Sequence, residues 1–187
     1  MILPMGSVII SLLEIRFRIN RAESDWAQKG IEAGLMIEQI TDTRLKRSIS
    51  RRVLESLRNW FEVDESREKY IADCADWIFL AAKEGDEYVG FLCLKETGNA
   101  TVELAVMGIL REYHRRGLGR ALFEEAKKIA AEEGYSFMQV KTVKMGVYPD
   151  YDITNRFYRS LGFQEFEVIR EIWGEDNPCQ IYVMSLA

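Results

Sequence analysis

The sequence predicts an α+β sandwich: a mixed, mostly antiparallel sheet of about seven strands with helices on both faces. Three observations carry this. The front third reads as one strand followed by helices. The middle holds three strands joined by short turns containing glycine or asparagine. The last third alternates helix and strand. At 187 residues, with 48% hydrophobic and 29% charged positions, the chain has the balance of a globular domain able to bury a core without staples.

Residues 1–14 are mostly apolar but are interrupted by Pro4, Gly6 and Glu14. No basic residue precedes them, and the run is too short to span a membrane. They are read as an arm or an extra strand, or alternatively as a segment that pairs with a second copy in a homodimer. Residues 15–187 are read as a single domain. Ile15, Phe17 and Ile19 alternate with polar residues and predict a strand. Asp25 and Gln28 have capping-box spacing, and Ile31, Leu35 and Gln39 recur every four residues, which predicts a helix running to 39. Thr43 opens a second helix, with Leu45, Ile49, Val53 and Leu57 on one face. A shorter helix runs from Asp64 to near Cys74.

Strands are expected at 77–83, 88–95 and 100–110, with turns at 84–87 and 96–99. An amphipathic helix follows at 118–133, stopped by Gly134. A strand at 136–143, a short helix at 153–161 ended by Gly162, and strands at 163–172 and 180–186 complete the order.

Composition excludes several functions. Lys and Arg number 25 against 30 Asp and Glu, a net charge of −5 that disfavours nucleic acid as a partner. No membrane partner is expected. A single histidine, His114, excludes multi-histidine metal sites, and no metal is expected. Cys74, Cys93 and Cys179 are widely spaced and odd in number, which suggests reduced thiols and a cytoplasmic protein.

The strongest local signal is residues 111–121. Arg111, His114, Arg115, Arg116 and Arg120 fall between a strand and a helix together with Gly117 and Gly119. The unpaired amides of a helix start, from Arg116 through Gly117, Leu118, Gly119 and Arg120 to Ala121, can cradle a diphosphate. An ordinary basic surface turn is the competing reading. The third glycine of a dinucleotide fingerprint and the GK[ST] of a P-loop are both missing.

Arg116-Gly117-Leu118-Gly119-Arg120-Ala121 fits the pattern Arg/Gln-x-x-Gly-x-Gly/Ala, and 157–163 reads Phe-Tyr-Arg-Ser-Leu-Gly-Phe. With the element order over about 15–187, these resemble the GNAT superfamily of acyl-CoA-dependent N-acetyltransferases. Tyr151 stands where many members carry asparagine. The resemblance implies acetyl-CoA as cosubstrate and transfer of its acetyl group to a primary amine of a small molecule or peptide, by direct attack in a ternary complex. A catalytically silent CoA-binding or regulatory domain is the alternative. The resemblance also puts backbone groups of Met107 and Ile109 on the pantetheine arm. The place of His114 among arginines suggests a phosphate contact or a plain surface residue, and Arg115 is read beside the phosphates.

Glu103 is the only acid in 101–109, thirteen residues before Arg116, the spacing of the catalytic glutamate in the histone-acetyltransferase branch. It is the expected base, directly or through water, with a solvent-facing strand position as the competing reading. Strict alternation would put it on one face with Ala105, Met107 and Ile109. Tyr158 is the expected acid toward the leaving thiolate, against a reading as a core aromatic. Tyr148, Asp150 and Asp152 are expected near the acceptor, and Trp60 and Phe61 are expected in the core in preference to the pocket wall. Cys179 is expected to be a buried thiol, since no second histidine exists to activate it.

Overall fold

The computed structural model describes residues 35–61 and 63–186. The expected arm at 1–14 and strand at 15–19 lie outside these residues. The elements are β1 (Leu35–Gln39), α1 (Thr43–Ser56), α2 (Asp64–Asp73), β2 (Ile78–Glu84), β3 (Glu87–Gly98) and β4 (Thr101–Ile109). After a single 3-10 turn (Arg111–Tyr113) come α3 (Leu118–Glu132), β5 (Phe137–Val143), α4 (Pro149–Ser160), β6 (Gln164–Ile169) and β7 (Cys179–Ser185). One seven-stranded sheet runs β1-β2-β3-β4-β5-β7-β6. Every neighbouring pair is antiparallel except β4–β5.

Four boundaries differ from expectation. The strand expected to end at 95 continues as β3 to Gly98, so the turn expected at 96–99 narrows to Asn99 and Ala100. The stretch ending at Gln39 is a strand, not a helix: Leu35 pairs with Glu84 and Gln39 with Leu80 at the sheet edge. A short apolar run suits either period, and the free edge of β2 decides for the strand. The fourth helix begins at Pro149 rather than 153, because Pro149 at its first position has no N–H to waste and Asp150 and Asp152 meet the positive helix end. The strand after it ends at Ile169 rather than Ile172, giving way to a turn in which Gly174 takes φ 88°.

Helices cover both sheet faces. α1 lies over β3 and β4, α3 over the other face of β1–β4, and α4 against β5. Asp42 caps α1 by accepting from the Leu45 amide at 2.7 Å. Val53 and Leu54 of α1, stacked Phe79 and Phe91, and Leu122, Phe123 and Ala126 of α3 form the core, all fully buried. Gly108 is demanded by close packing: a Cβ there would stand 2.8 Å from Val53 Cγ1 and 3.0 Å from Leu57 Cδ1. Among the described residues no helix is long and apolar enough to cross a membrane.

Two irregularities shape β4. Its pairing with β3 steps from Cys93↔Val106 to Leu94↔Leu104, so Ala105 is an extra residue. Its pairing with β5 covers only Thr101↔Phe137 to Leu104↔Val140. Beyond that point Lys141, Thr142 and Val143 pair with β7 alone. The sheet therefore splits between β4 and β5.

Candidate active site

The split exposes backbone. The Leu110 amide donates to Val89 O at 2.9 Å, and Leu110 follows the register Gly90↔Ile109. Hydrogen-bonded and non-bonded pairs alternate in an antiparallel ladder. Gly108 therefore also spends its groups on β3, while Met107 and Ile109 turn theirs toward the split. His114 Nε2 lies 2.7 Å from Ile109 O. A carbonyl only accepts, so this nitrogen carries the proton. Thr142 Oγ1, on the segment of β5 that lacks a β4 neighbour, is buried with no hydrogen-bond partner among the described residues.

The loop from β4 to α3 reaches the mouth of the split. Arg115 has φ 61° and Gly117 has φ 86°, a region natural to glycine. Gly117 is the N-cap of α3 and supplies no side chain to close it. The first helical bond of this turn runs from Ala121 N to Gly117 O, so the amides of Leu118, Gly119 and Arg120 have no intrahelical acceptor. These amides and the helix dipole suit an anion.

The arginines mostly serve the scaffold. Arg116 pairs with Glu84 and lies over the Tyr113 ring at 5.1 Å. Arg120 donates to Ser160 O at 3.0 Å, at the end of α4. Arg111 sits 5.4 Å over Trp60. Gly119 is small for a packing reason: a Cβ there would lie 3.1 Å from Phe157 Cζ and 3.4 Å from Ile109 Cδ1. This contact also sets the direction of Ile109, toward α3 and α4.

Glu103 does not share that face. Gly108 faces α1, so Met107 and Ile109 face α3, and the extra residue Ala105 reverses the alternation before Glu103 is reached. The expectation of one common face is thus corrected by the bulge. Glu103 pairs with Lys95 and Gln139 across the strands. Its Oε2 accepts from Lys141 Nζ at 2.5 Å, and its side chain is 12% exposed. It is neither in bulk solvent nor unpartnered. Tyr70 of α2 lies within electrostatic reach of Glu103, and burial, reinforced by that carboxylate, raises the Tyr70 pKa.

Tyr158, in the last turn of α4, is 6% exposed and packs against Phe157, Phe163 and Tyr182. Burial drives its pKa far above the ordinary tyrosine range, with Tyr70 and Tyr151 adding to the effect. Among the described residues nothing hydrogen-bonds its hydroxyl. Tyr158 is thus both a core aromatic and a neutral donor with an unspent proton.

Buried Asn155 fixes α4. Its Nδ2 donates to Val143 O at 2.9 Å and Tyr151 O at 2.7 Å, and its Oδ1 accepts from Tyr182 OH at 2.7 Å. Tyr151 donates to Trp60 O at 2.7 Å, which joins α4 to the α1–α2 connection. The Trp60 indole lies 3.4 Å from Asp150 O, and Asp152 accepts from the Gly146 amide at 2.7 Å. The expected acceptor contacts Asp150 and Asp152 are therefore engaged in shaping the loop. Cys179 is buried, and desolvation pushes its pKa up to about 11.

Sequence reasoning missed Tyr70, Lys141 and Asn155. Lys141 had a signal, since Gln139 and Lys141 alternate with buried Met138 and Val140. Tyr70 had none, because its proximity to Glu103 depends on how α2 packs. No cluster of metal-ligating side chains occurs among the described residues.

A sheet split beside its parallel pair, with an open helix N-terminus at the mouth, defines the GNAT type of α+β transferase fold. The chain belongs to the GNAT acetyltransferase family: residues 48–163 match the Acetyltransferase (GNAT) family. It is 25% identical over 138 residues to an uncharacterized N-acetyltransferase of Chlorobaculum tepidum, covering 72% of this chain and 70% of that one. A GNAT-family protein from Desulfovibrio desulfuricans superposes with TM-score 0.70 at 21% identity, over 82% of this chain and 99% of that one. An aminoglycoside 6'-N-acetyltransferase complexed with coenzyme A superposes with TM-score 0.63 at 20% identity, over 81% and 97%.

Proposed function

We propose that the protein transfers the acetyl group of acetyl-CoA to a primary amine of a small molecule or peptide, by direct attack in a ternary complex. The observation that carries this reading is the continuity of two unspent sets of donors. The backbone of Met107 and Ile109 faces the split, and the amides of α3 stand open at its mouth. An extended ligand with an anionic head fits that line, and the coenzyme A held by the similar 6'-N-acetyltransferase has this form. Thr142 Oγ1 offers the ligand one more partner.

The residues then take these roles. The open amides of Leu118, Gly119 and Arg120 hold the diphosphate, flanked by His114 and Arg115, whereas the Ala121 amide, expected to join them, is spent on Gly117 O. Met107 and Ile109 pair with the pantetheine arm, and a backbone N–H there donates to the thioester carbonyl and its oxyanion. The thioester supplies an activated acyl carbon and a thiolate leaving group. Glu103 takes the amine proton, directly or through water, with Lys141 holding the carboxylate in place. Tyr158 gives its proton to the departing sulfur.

The ion pair of Glu103 with Lys141 is the observation that favours the second reading, a silent CoA-binding domain on the same fold. Calorimetric titration with CoA, run beside thiol release from acetyl-CoA across an amine panel, separates the two. Binding with turnover supports the enzyme. Binding with no turnover on any amine favours the silent domain, and no CoA binding overturns both.

A further inference from the structure

A second reactive cluster lies away from the split. Cys74, at the C-cap of α2, and Cys93, in the middle of β3, are both fully buried, with sulfur atoms 3.4 Å apart. Lys46 of α1 is 7% exposed, and its Nζ donates to Ala75 O at 3.0 Å and Trp77 O at 2.7 Å, the strand of chain that follows Cys74. No carboxylate pairs with Lys46 among the described residues. A buried ammonium without an anion is costly, and a thiolate formed beside it would be its counter-ion.

We propose that Cys74 and Cys93 are a dithiol that a hydroperoxide oxidises to an internal disulfide, with Lys46 stabilising the thiolate that begins the reaction. That thiolate attacks the peroxide O–O bond, giving a sulfenic acid and releasing an alcohol, or water when the peroxide is hydrogen peroxide. The second thiol attacks the sulfenic sulfur, the S–S bond forms, and water leaves. The thiol pair loses two electrons and the peroxide gains them.

Access comes from α2 itself. The helix buries only Arg67 and Ile71, its N-cap Val63 supplies no side-chain hydrogen bond, and Arg67, though held by Phe61 O and Asp64, buries an Nε with no partner among the described residues. Such an element opens more cheaply than the core. In the closed protein, burial and the neighbouring thiol hold the Cys93 pKa up while Lys46 pulls it down. Cys93 therefore rests as a thiol until α2 lifts. The sulfurs must then close from 3.4 Å to about 2.05 Å, a side-chain adjustment. The bond would tie the end of α2 to β3, one turn beyond Tyr70, which neighbours Glu103.

The test uses the Cys179→Ser chain, folded and reduced, treated with stoichiometric hydrogen peroxide. The intact mass should fall by about 2 Da, with both remaining thiols lost and Tm raised by about 5–10 °C. Cys74→Ser and Cys93→Ser chains should instead accumulate a sulfenic acid trapped by a dione reagent, and Lys46→Met should slow disulfide formation about tenfold. Retention of both thiols, stepwise oxygen addition with no loss of 2 Da, or disulfide formation only in denaturant would each overturn the proposal. The mass measurement decides even if Lys46→Met fails to fold.

Discussion

Replacing Tyr158 by phenylalanine separates its two roles, because only the hydroxyl is removed. The ring contacts with Phe157, Phe163 and Tyr182 remain. The hydroxyl has no protein partner among the described residues, so its loss leaves no group orphaned and removes a desolvated polar atom. Tm should hold or rise slightly. CoA affinity should change less than about twofold, since the proposed phosphate site is on α3. Turnover should fall: a hydrogen bond to a charged group contributes about 1.5–3 kcal/mol, or about 10- to 150-fold, and general-acid loss extends this to about 10,000-fold. The pH dependence of stability adds an independent readout. Burial raises the folded pKa of Tyr158, so the unfolded chain loses its proton first once pH passes about 10. Unfolding free energy therefore falls with rising pH above that point, and the Tyr158→Phe chain should lose less. The assays are loss of thioester absorbance from acetyl-CoA with an accepted amine, calorimetric CoA binding, and thermal melts from neutral pH to pH 11. Wild-type turnover accompanied by a lower Tm would refute the acid role and leave Tyr158 as packing alone.

Three further outcomes are expected. Arg115→Glu keeps an L-residue at φ 61° and reverses an exposed charge beside the α3 amides. At roughly 8 Å from a diphosphate this costs about 2 kcal/mol unscreened and about 1 kcal/mol at 0.15 M salt, so CoA affinity should drop about fivefold or more, and more steeply at low salt by calorimetry. Glu103→Gln should lower turnover at neutral pH and recover part of it at high pH, where more amine is unprotonated; an unaltered pH–rate profile would remove Glu103 from the chemistry. Asn155→Leu abandons two carbonyls and the Tyr182 hydroxyl at once, and urea unfolding should show a loss of about 3 kcal/mol or more, non-additive with Tyr182→Phe.

Local chemistry made much of this protein legible. The turns at Gly85 and Gly134, the amphipathic face of 118–132, and the placement of Gly117 at the loop-to-helix junction each follow from a few adjacent residues. So does the open anion site, because unpaired amides belong to any helix start whose N-cap lacks a side-chain acceptor. Tyr158 reads both as a site residue and as a core aromatic, and its burial against Phe157, Phe163 and Tyr182 answers to the second.

The rest depended on which strand lies beside which. Residues 35–39 satisfy helical spacing, and only the free edge of β2 makes them a strand. Strict alternation through β4 put Glu103 with Met107 and Ile109, but the extra residue Ala105 reverses the face, and a bulge exists only relative to a partner's register. The split that bares Met107 arises because β5 parts from β4 after Val140 while staying paired with β7 along its whole length. Tyr70 and Lys141 meet Glu103 from two elements distant in the chain. Sequence by itself determined the elements whose causes lie within a turn or two of backbone. The tertiary structure decided every feature defined by a pair, since pairing energy depends on a neighbour that no local window contains.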